Sequence, residues 1–391
     1  MDTQIKKTGV ILGSFLTQFI IVGMLFTYGL LMTEFEKDFG WSRTILSTIG
    51  AAGWMAWGVL AIPGGYLNDK IGPRLLLALN GLIFGVGFIL MSYSNQIWHL
   101  FVIFIFFIGV GLSTHDISTL STIAKWFGKR RGIMTSIAKI GTALGQMLIP
   151  PLIAILIIQF GWRSATFYLG IACCVGLIFA ASLMSLPKAP NKEKSMENEV
   201  KEFSSNYQFW LLAACQFFIF FAMFTTMTHI APYGKDLGLS IKDSALLLSI
   251  VGFSSIFGRL AIGLLADKLG SRRTYLICVI PMMISFYGLA NSDSVNVLYF
   301  LLPLYGFSHG GHFTIVPFTI AEYFGVDRLG SVFGKITFFG AIGSVTGPIF
   351  AGAIFDSIGD YNLAFHIISL MITVCVILLF FMPKVTTGKE I

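Results

Sequence analysis

The chain has 391 residues, 55% of them hydrophobic and 12% charged, with a formal net charge of +7 and a mean hydropathy of +0.82. Soluble domains carry about 25% charged residues, so this chain has too few to clothe a water-facing surface of its size. Apolar runs long enough to cross a hydrocarbon core of about 30 Å as helices recur from end to end, and no stretch shows the alternation of a membrane β-barrel strand.

In chain order the predicted spans are 9–34, 43–67, 74–94, 98–127, 131–158, 164–186, 208–235, 242–266, 273–291, 296–324, 330–355 and 361–382. The first apolar run, Thr8 to Phe35, has no small-residue cleavage site after a short core, so it reads as a retained helix and not a signal peptide. Cys173, Cys174, Cys215, Cys278 and Cys375 all fall inside apolar runs, which suggests packing and neither a disulfide framework nor a metal-type pair. Of the 26 Lys and Arg residues, 18 lie at the two termini and in the even-numbered connections. The odd-numbered connections hold Lys37, Arg43, Arg163, Lys235 and Lys242. This bias places both termini in the cytoplasm of a cell whose inner membrane the chain would span. The basic balance thus reports topology and attraction to anionic lipid, and nucleic acid is not an expected partner. Midway, Pro187 to Tyr207 is rich in Lys and Glu, as a solvated linker is. The expected organisation is a bundle over 1–186, a cytoplasmic linker over 187–207 and a second bundle over 208–391.

The two halves repeat. Gly65-Tyr-Leu-Asn-Asp69-Lys70-Ile-Gly72-Pro-Arg74 after the second span matches Gly263-Leu-Leu-Ala-Asp267-Lys268-Leu-Gly270-Ser-Arg272 after the eighth, at a constant offset of 198. Ala124-Lys-Trp-Phe-Gly128 ends the fourth span and Ala321-Glu-Tyr-Phe-Gly325 the tenth, at an offset of 197. Pro150-Pro151 closes the fifth span as Gly347-Pro348 closes the eleventh. Three matches in register predict an all-α membrane protein of twelve transmembrane helices in two pseudo-symmetric six-helix bundles, a transporter architecture whose site lies at mid-depth. Gly141 and Gly145, like Gly343 and Gly347, are four apart and suit close helix approach.

The Gly-x-x-x-Asp-(Arg/Lys)-x-Gly-x-(Arg/Lys) loop, present twice, resembles the signature of the major facilitator superfamily. Tyr28-Gly29, Phe39-Gly-Trp-Ser-Arg43, Trp126-Phe-Gly-Lys-Arg-Arg-Gly132, Gly161-Trp-Arg163, His229-Ile-Ala-Pro232 and Gly258-Arg259 narrow the resemblance. Together they resemble the monocarboxylate transporter family and its bacterial relatives, including oxalate/formate exchangers, over essentially the whole chain. The resemblance implies a secondary carrier that works by alternating access, not an enzyme, with no cofactor. It also implies that Asp69, Arg74, Asp267 and Arg272, with Arg130 and Arg131, form a cytoplasmic gate. A carboxylate at such a loop can face the positive end of a neighbouring helix; the alternative is a solvated turn that only fixes topology.

Ionisable groups near mid-bilayer cost at least about 2.5–3.5 kcal/mol on insertion scales, so each needs an explanation. Arg259 lies about 12 Å of helix before Asp267, and its repeat mate is Ala61. It is therefore no part of the shared scaffold. A guanidinium can grip a carboxylate with two hydrogen bonds, and the resemblance puts Arg259 at the family's substrate anchor. Asp116 is the only acid deep in the predicted spans, and beside it His115 matches His312 at an offset of 197. Asp116, His115 and His312 are the expected proton-coupling groups, and His115 and His312 the expected polar lining of the cavity; the alternative is that each ring is satisfied by a backbone carbonyl in a helix contact. His229 reads as gate or packing, His99 and His366 as interfacial or core, and Lys139 and Lys335 as snorkelling cations. The resemblance adds Tyr28 and Ser255 to the substrate site, with two departures. Where animal members carry a lysine four residues after the tyrosine stands Met32, and where they carry an aspartate one turn before the arginine stands Ser255. Oxalate-type exchangers use a second cation in the eleventh helix, and the matching stretch here is Phe338-Phe339-Gly340. The expected cargo is a small organic monoanion, moved with a proton or in exchange, by a monomer. A rival reading makes His115, Asp116, His309 and His312 the contacts of a divalent metal or metal chelate as cargo; a third is a non-transporting receptor on the same fold.

Overall fold

The structure, a computed structural model, describes residues 2–127, 130–187, 207–325 and 329–383. Gly128 and Lys129 of the Trp126–Gly132 motif, and 188–206 of the expected linker, lie outside the described residues.

Ten helical segments among the described residues are long and apolar enough to cross a membrane. One of them, Arg131–Ser182, turns at Gly161 (φ 77°, ψ 161°) and so holds two helices, α5 (131–160) and α6 (162–182). Val295–Phe324, whose His309, His312, Pro303 and Pro317 dilute an apolar run, is a further helix, α10. The others are α1 (Asp2–Leu25 and Tyr28–Phe39), α2 (Arg43–Ile71), α3 (Pro73–Met91), α4 (Ile97–Phe127), α7 (Tyr207–Asp236), α8 (Ile241–Leu269), α9 (Ser271–Ala290), α11 (Leu329–Ile358) and α12 (Asn362–Phe380). The described residues thus form twelve helices. Most boundaries fall within a few residues of those read from hydropathy; α1 is longer at both ends, because its polar first turns are helical too.

The motifs between helices are capping devices. In Phe39-Gly-Trp-Ser-Arg43, Gly40 (φ 64°) ends α1 with its N–H on the Glu36 carbonyl, and Ser42 caps α2 by accepting from the Ile45 N–H. In the second half Gly238 (φ 87°) ends α7, and Ser240 accepts the Asp243 N–H at 3.1 Å. The left-handed glycines Gly40 and Gly238, Gly72 and Gly270, and Gly161 and Gly359 recur at one spacing of 198. Chain reversals therefore repeat with the sequence, since other residues resist positive φ.

The helix contacts repeat as well. A Cβ on Gly145 of α5 would stand 2.2 Å from the Phe19 carbonyl of α1, and one on Gly343 of α11 would stand 2.3 Å from the Phe217 carbonyl of α7. Small residues here let backbones touch where no solvent drives helices together.

Among the described residues, packing gathers those up to 187 with Ile230–Gly252 into one compact unit, and those of 207–229 with those from Phe253 onward into a second. Within the first unit Arg43, only 4% exposed, holds Asp236 with two bonds of 2.5 and 2.7 Å and Glu36 at 3.2 Å. Lys235 reaches Glu34 at 3.7 Å. Asp38, the repeat mate of Asp236, is taken instead by Trp162 at 2.7 Å and Arg163 at 3.0 Å.

Candidate functional site

In the second unit α8 and α10 meet at glycines. A Cβ on Gly258 would stand 1.9 Å from the Phe307 carbonyl, and one on Gly310 would stand 2.0 Å from the Ser255 carbonyl. This contact sets Arg259 and Ser255 of α8 against Ser308-His309-Gly-Gly-His312 of α10. The Arg259 guanidinium donates to Ser255 Oγ at 2.8 Å, one helical turn back. It has no ion pair among the described residues. Five N–H donors in a planar fork thus have one neutral partner among those residues, and the His309 ring lies within electrostatic reach. His312 is fully buried; its Nδ1 pairs with the Tyr275 hydroxyl at 3.3 Å, and its Nε2 has no hydrogen-bond partner among the described residues. Phe220 and Phe313 flank its ring at 5.8 and 5.9 Å.

The first unit holds a different arrangement. α4 is interrupted: a π-helical segment spans Phe104–Gly109, and after Val110–Leu112 the chain turns through Ser113 and Thr114 before helix resumes at His115. Such insertions in an α-helix often mark functional positions. The interruption frees the Leu112 carbonyl, which His115 Nδ1 binds at 2.7 Å. Asp116 follows, and its Oδ1 collects Lys139 Nζ of α5 at 2.5 Å and Gln18 Nε2 of α1 at 2.7 Å, with His115 Nε2 at 3.6 Å. Gln18 completes the cluster: its Nε2 also donates to Thr119 at 3.1 Å, and its Oε1 accepts from Lys139 and Thr142, each at 3.2 Å. A half-buried carboxylate, a cation and an amide are each satisfied, as partly desolvated polar groups require.

Lys139 is thus no snorkelling cation but the counter-ion of Asp116, and Gln18 is a site residue that the sequence reading missed. Its repeat mate Gln216, 198 positions on, is the one sequence signal that could have singled it out. Tyr28 is buried between α1, α2 and α4, its hydroxyl spent on the Leu46 carbonyl and its ring against Phe104 at 4.9 Å. His229 is a packing residue: Nδ1 meets the Tyr361 hydroxyl at 2.8 Å and Nε2 the Pro348 carbonyl at 2.9 Å, tying α7 to α11 and α12.

The signature loops differ between the halves. Asp69, exposed, pairs with Lys125 of α4 at 3.2 Å. Asp267, also exposed, has no ion pair among the described residues, because the mate of Lys125 is Glu322. That carboxylate caps α9 instead, accepting the Ser271 N–H at 2.8 Å. Arg272 donates to the Phe380 carbonyl and lies over the Phe380 ring. Arg74, Arg130 and Arg131 are exposed and form no ion pair among the described residues. A cleft of about 550 Å³ near Ser94, Arg163 and Tyr168 holds none of the expected site residues. Among the described residues no group of three or more His, Cys, Asp or Glu side chains gathers for a metal ion; His115 and Asp116 lie in one unit, His309 and His312 in the other.

A family model, Major Facilitator Superfamily, matches residues 14–270 and 230–391. The chain belongs to the Major Facilitator Superfamily. It is similar to the agnestins efflux protein AgnL12 of Paecilomyces divaricatus, 26% identical over 97% of this chain and 88% of that one. It is also similar to monocarboxylate transporter 12 of Mus musculus, 24% identical over 92% of this chain and 80% of that one. Among solved structures, a point mutant of the nucleoside transporter NupG superposes with a TM-score of 0.80 at 13% identity, over 97% of this chain and 100% of that one. A bacterial homolog of the human lysosomal transporter Spinster, inward-facing and unoccupied, superposes at 0.72 with 14% identity, over 96% and 95%. The superfamily transports small molecules across membranes and does not consist of enzymes, and this chain is a multi-pass membrane transporter.

Proposed function

We propose that this transporter carries a small monocarboxylate or similar organic anion by alternating access, with Arg259 as the carboxylate anchor. The observation that carries the reading is a guanidinium about 15 Å of helix from the α8 terminus whose one bond among the described residues is to Ser255. Charged side chains in a membrane pair with one another or with backbone carbonyls, whereas the described partner of Arg259 is a neutral hydroxyl, which suits an anionic guest. Ser255 orients the fork, and the His309 ring lies within electrostatic reach of it. Asp116, His115 and His312 are the candidates for linking a proton to the cargo, with anion exchange as the other mode. The similarity to monocarboxylate transporter 12 supports the cargo class.

In this reading the halves 1–186 and 208–391, joined by the linker, rock about the cargo. The basic bias of the even-numbered connections supports cytoplasmic termini in an inner membrane. Asp69, Arg74, Asp267, Arg272, Arg130 and Arg131 would serve the cytoplasmic gate, and the Arg43–Asp236 and Lys235–Glu34 pairs the opposite one. The test is uptake of labelled short monocarboxylates into proteoliposomes, with and without a pH gradient. Wild-type protein should accumulate at least one of them and Arg259→Ala on the order of 100-fold less. Equal uptake by both removes Arg259 from the mechanism.

A further inference from the structure

The Asp116 cluster has a charge arithmetic that the anchor at Arg259 lacks. Asp116 and Lys139 neutralise one another at 2.5 Å, and both side chains keep partial access, 39% and 25% exposed. The Leu112 carbonyl can only accept, so neutral His115 carries its proton on Nδ1. Its Nε2 is then a lone pair facing Asp116 Oδ1 at 3.6 Å, acceptor against acceptor. A single proton on either atom turns that repulsive contact into an attractive one. The same proton cancels the charge that holds Lys139, leaving its ammonium with the Gln18 and Thr142 side of the cluster and a net positive charge.

We propose that His115 and Asp116 form the loading site for one proton, and that this proton uncovers Lys139 as a second carboxylate-binding subsite, built entirely within the first unit. The inference rests on the reading that the cargo is a carboxylate. In a low-dielectric site the neutral combinations are favoured. Two are available: the empty ion pair, or proton and carboxylate together. Proton alone leaves +1 and carboxylate alone leaves −1, so the two load as a pair. Titratable groups facing Asp116 among the described residues are His115 on its own helix and Lys139 on α5. From α1 comes Gln18, and α3 presents Asn80, bonded to Thr114; both are neutral. His312 lies in the other unit, with its Nδ1 on the Tyr275 hydroxyl at 3.3 Å.

The experiment is proton uptake by the purified, weakly buffered protein when L-lactate is added at neutral pH, where lactate is fully ionised, with binding followed in parallel. Wild type should take up roughly one proton per protein as lactate binds, by the linkage between ligand and proton. Asp116→Asn should bind lactate with no uptake, as should Lys139→Met, whereas Lys139→Arg should keep it. Should Lys139→Met not fold, Asp116→Asn/Lys139→Met, which keeps the site neutral, gives the same readout. Binding without proton uptake in wild type overturns this proposal and leaves the Arg259 anchor standing, as does uptake that survives in Asp116→Asn. No lactate binding by wild type overturns both.

Discussion

α4 and α10 occupy matching places in the repeat, yet they treat buried polar groups in opposite ways. α4 is interrupted at Phe104–Gly109 and again at Ser113–Thr114, and the acid it carries just beyond is met by Lys139 and Gln18. α10 runs unbroken from Val295 to Phe324. At the places that match Asp116 and Lys139 the second half has Phe313 and Thr337, and the Oε1 of Gln216, the mate of Gln18, has no partner among the described residues. The cation of the second half is Arg259 on α8, where the first half has Ala61. One half thus holds a compensated charge and the other an uncompensated one. A compensated pair costs little to keep in the membrane and changes state only when a proton arrives; a lone guanidinium is costly until an anion joins it.

The largest break in that contrast is Arg259→Ala. It should lower uptake of the transported anion by on the order of 100-fold, as expected when one side of a buried, hydrogen-bonded charge pair is truncated, with expression and thermal unfolding little changed. Next, Gly258→Ala forces a methyl against the Phe307 carbonyl, 1.9 Å from the ideal Cβ. Overpacking of this kind costs about 1–3 kcal/mol. It should also push Arg259 out of place, so uptake should fall roughly tenfold or more. In the first half, Asp116→Asn or Lys139→Met alone leaves one charge unmatched. After discounting for their partial exposure, each should destabilise by about 1–3 kcal/mol. The double variant should recover most of that loss, measured by reversible unfolding in detergent. The smallest effect is expected for Ser255→Ala, which removes the one described partner of Arg259 without changing charge: about 1 kcal/mol, or roughly fivefold in KM, with kcat nearly constant.

Much of the fold was legible because the bilayer makes length and polarity sufficient signals. The spans and the repeat could both be read along the chain. Arg259 was legible for the same reason, as a charge that hydropathy cannot accommodate and the repeat does not duplicate. The first-half cluster was not. Lys139 sits near the start of α5, where a flexible stem suits snorkelling, and only the fold reveals that its ammonium turns inward to an acid 23 residues earlier and an amide 121 residues earlier. Contacts across three helices leave no period in a sequence. Tyr28, which the family resemblance adds to the substrate site, has its hydroxyl on the Leu46 carbonyl inside the α1–α2 contact, a partner that no motif announces. The signature loops repeat in sequence but not in pairing, since Lys125 in one half faces the role of Glu322 in the other.

The claim that Arg259 is the open anchor is tested most directly by anion-dependent stabilisation. Purified wild type and Arg259→Ala would be melted in detergent across a series of L-lactate concentrations, because a ligand that binds the folded state raises Tm with its concentration. The account predicts that the lactate concentration giving half the maximal rise increases on the order of 100-fold in Arg259→Ala. Superimposable curves for the two proteins would contradict it.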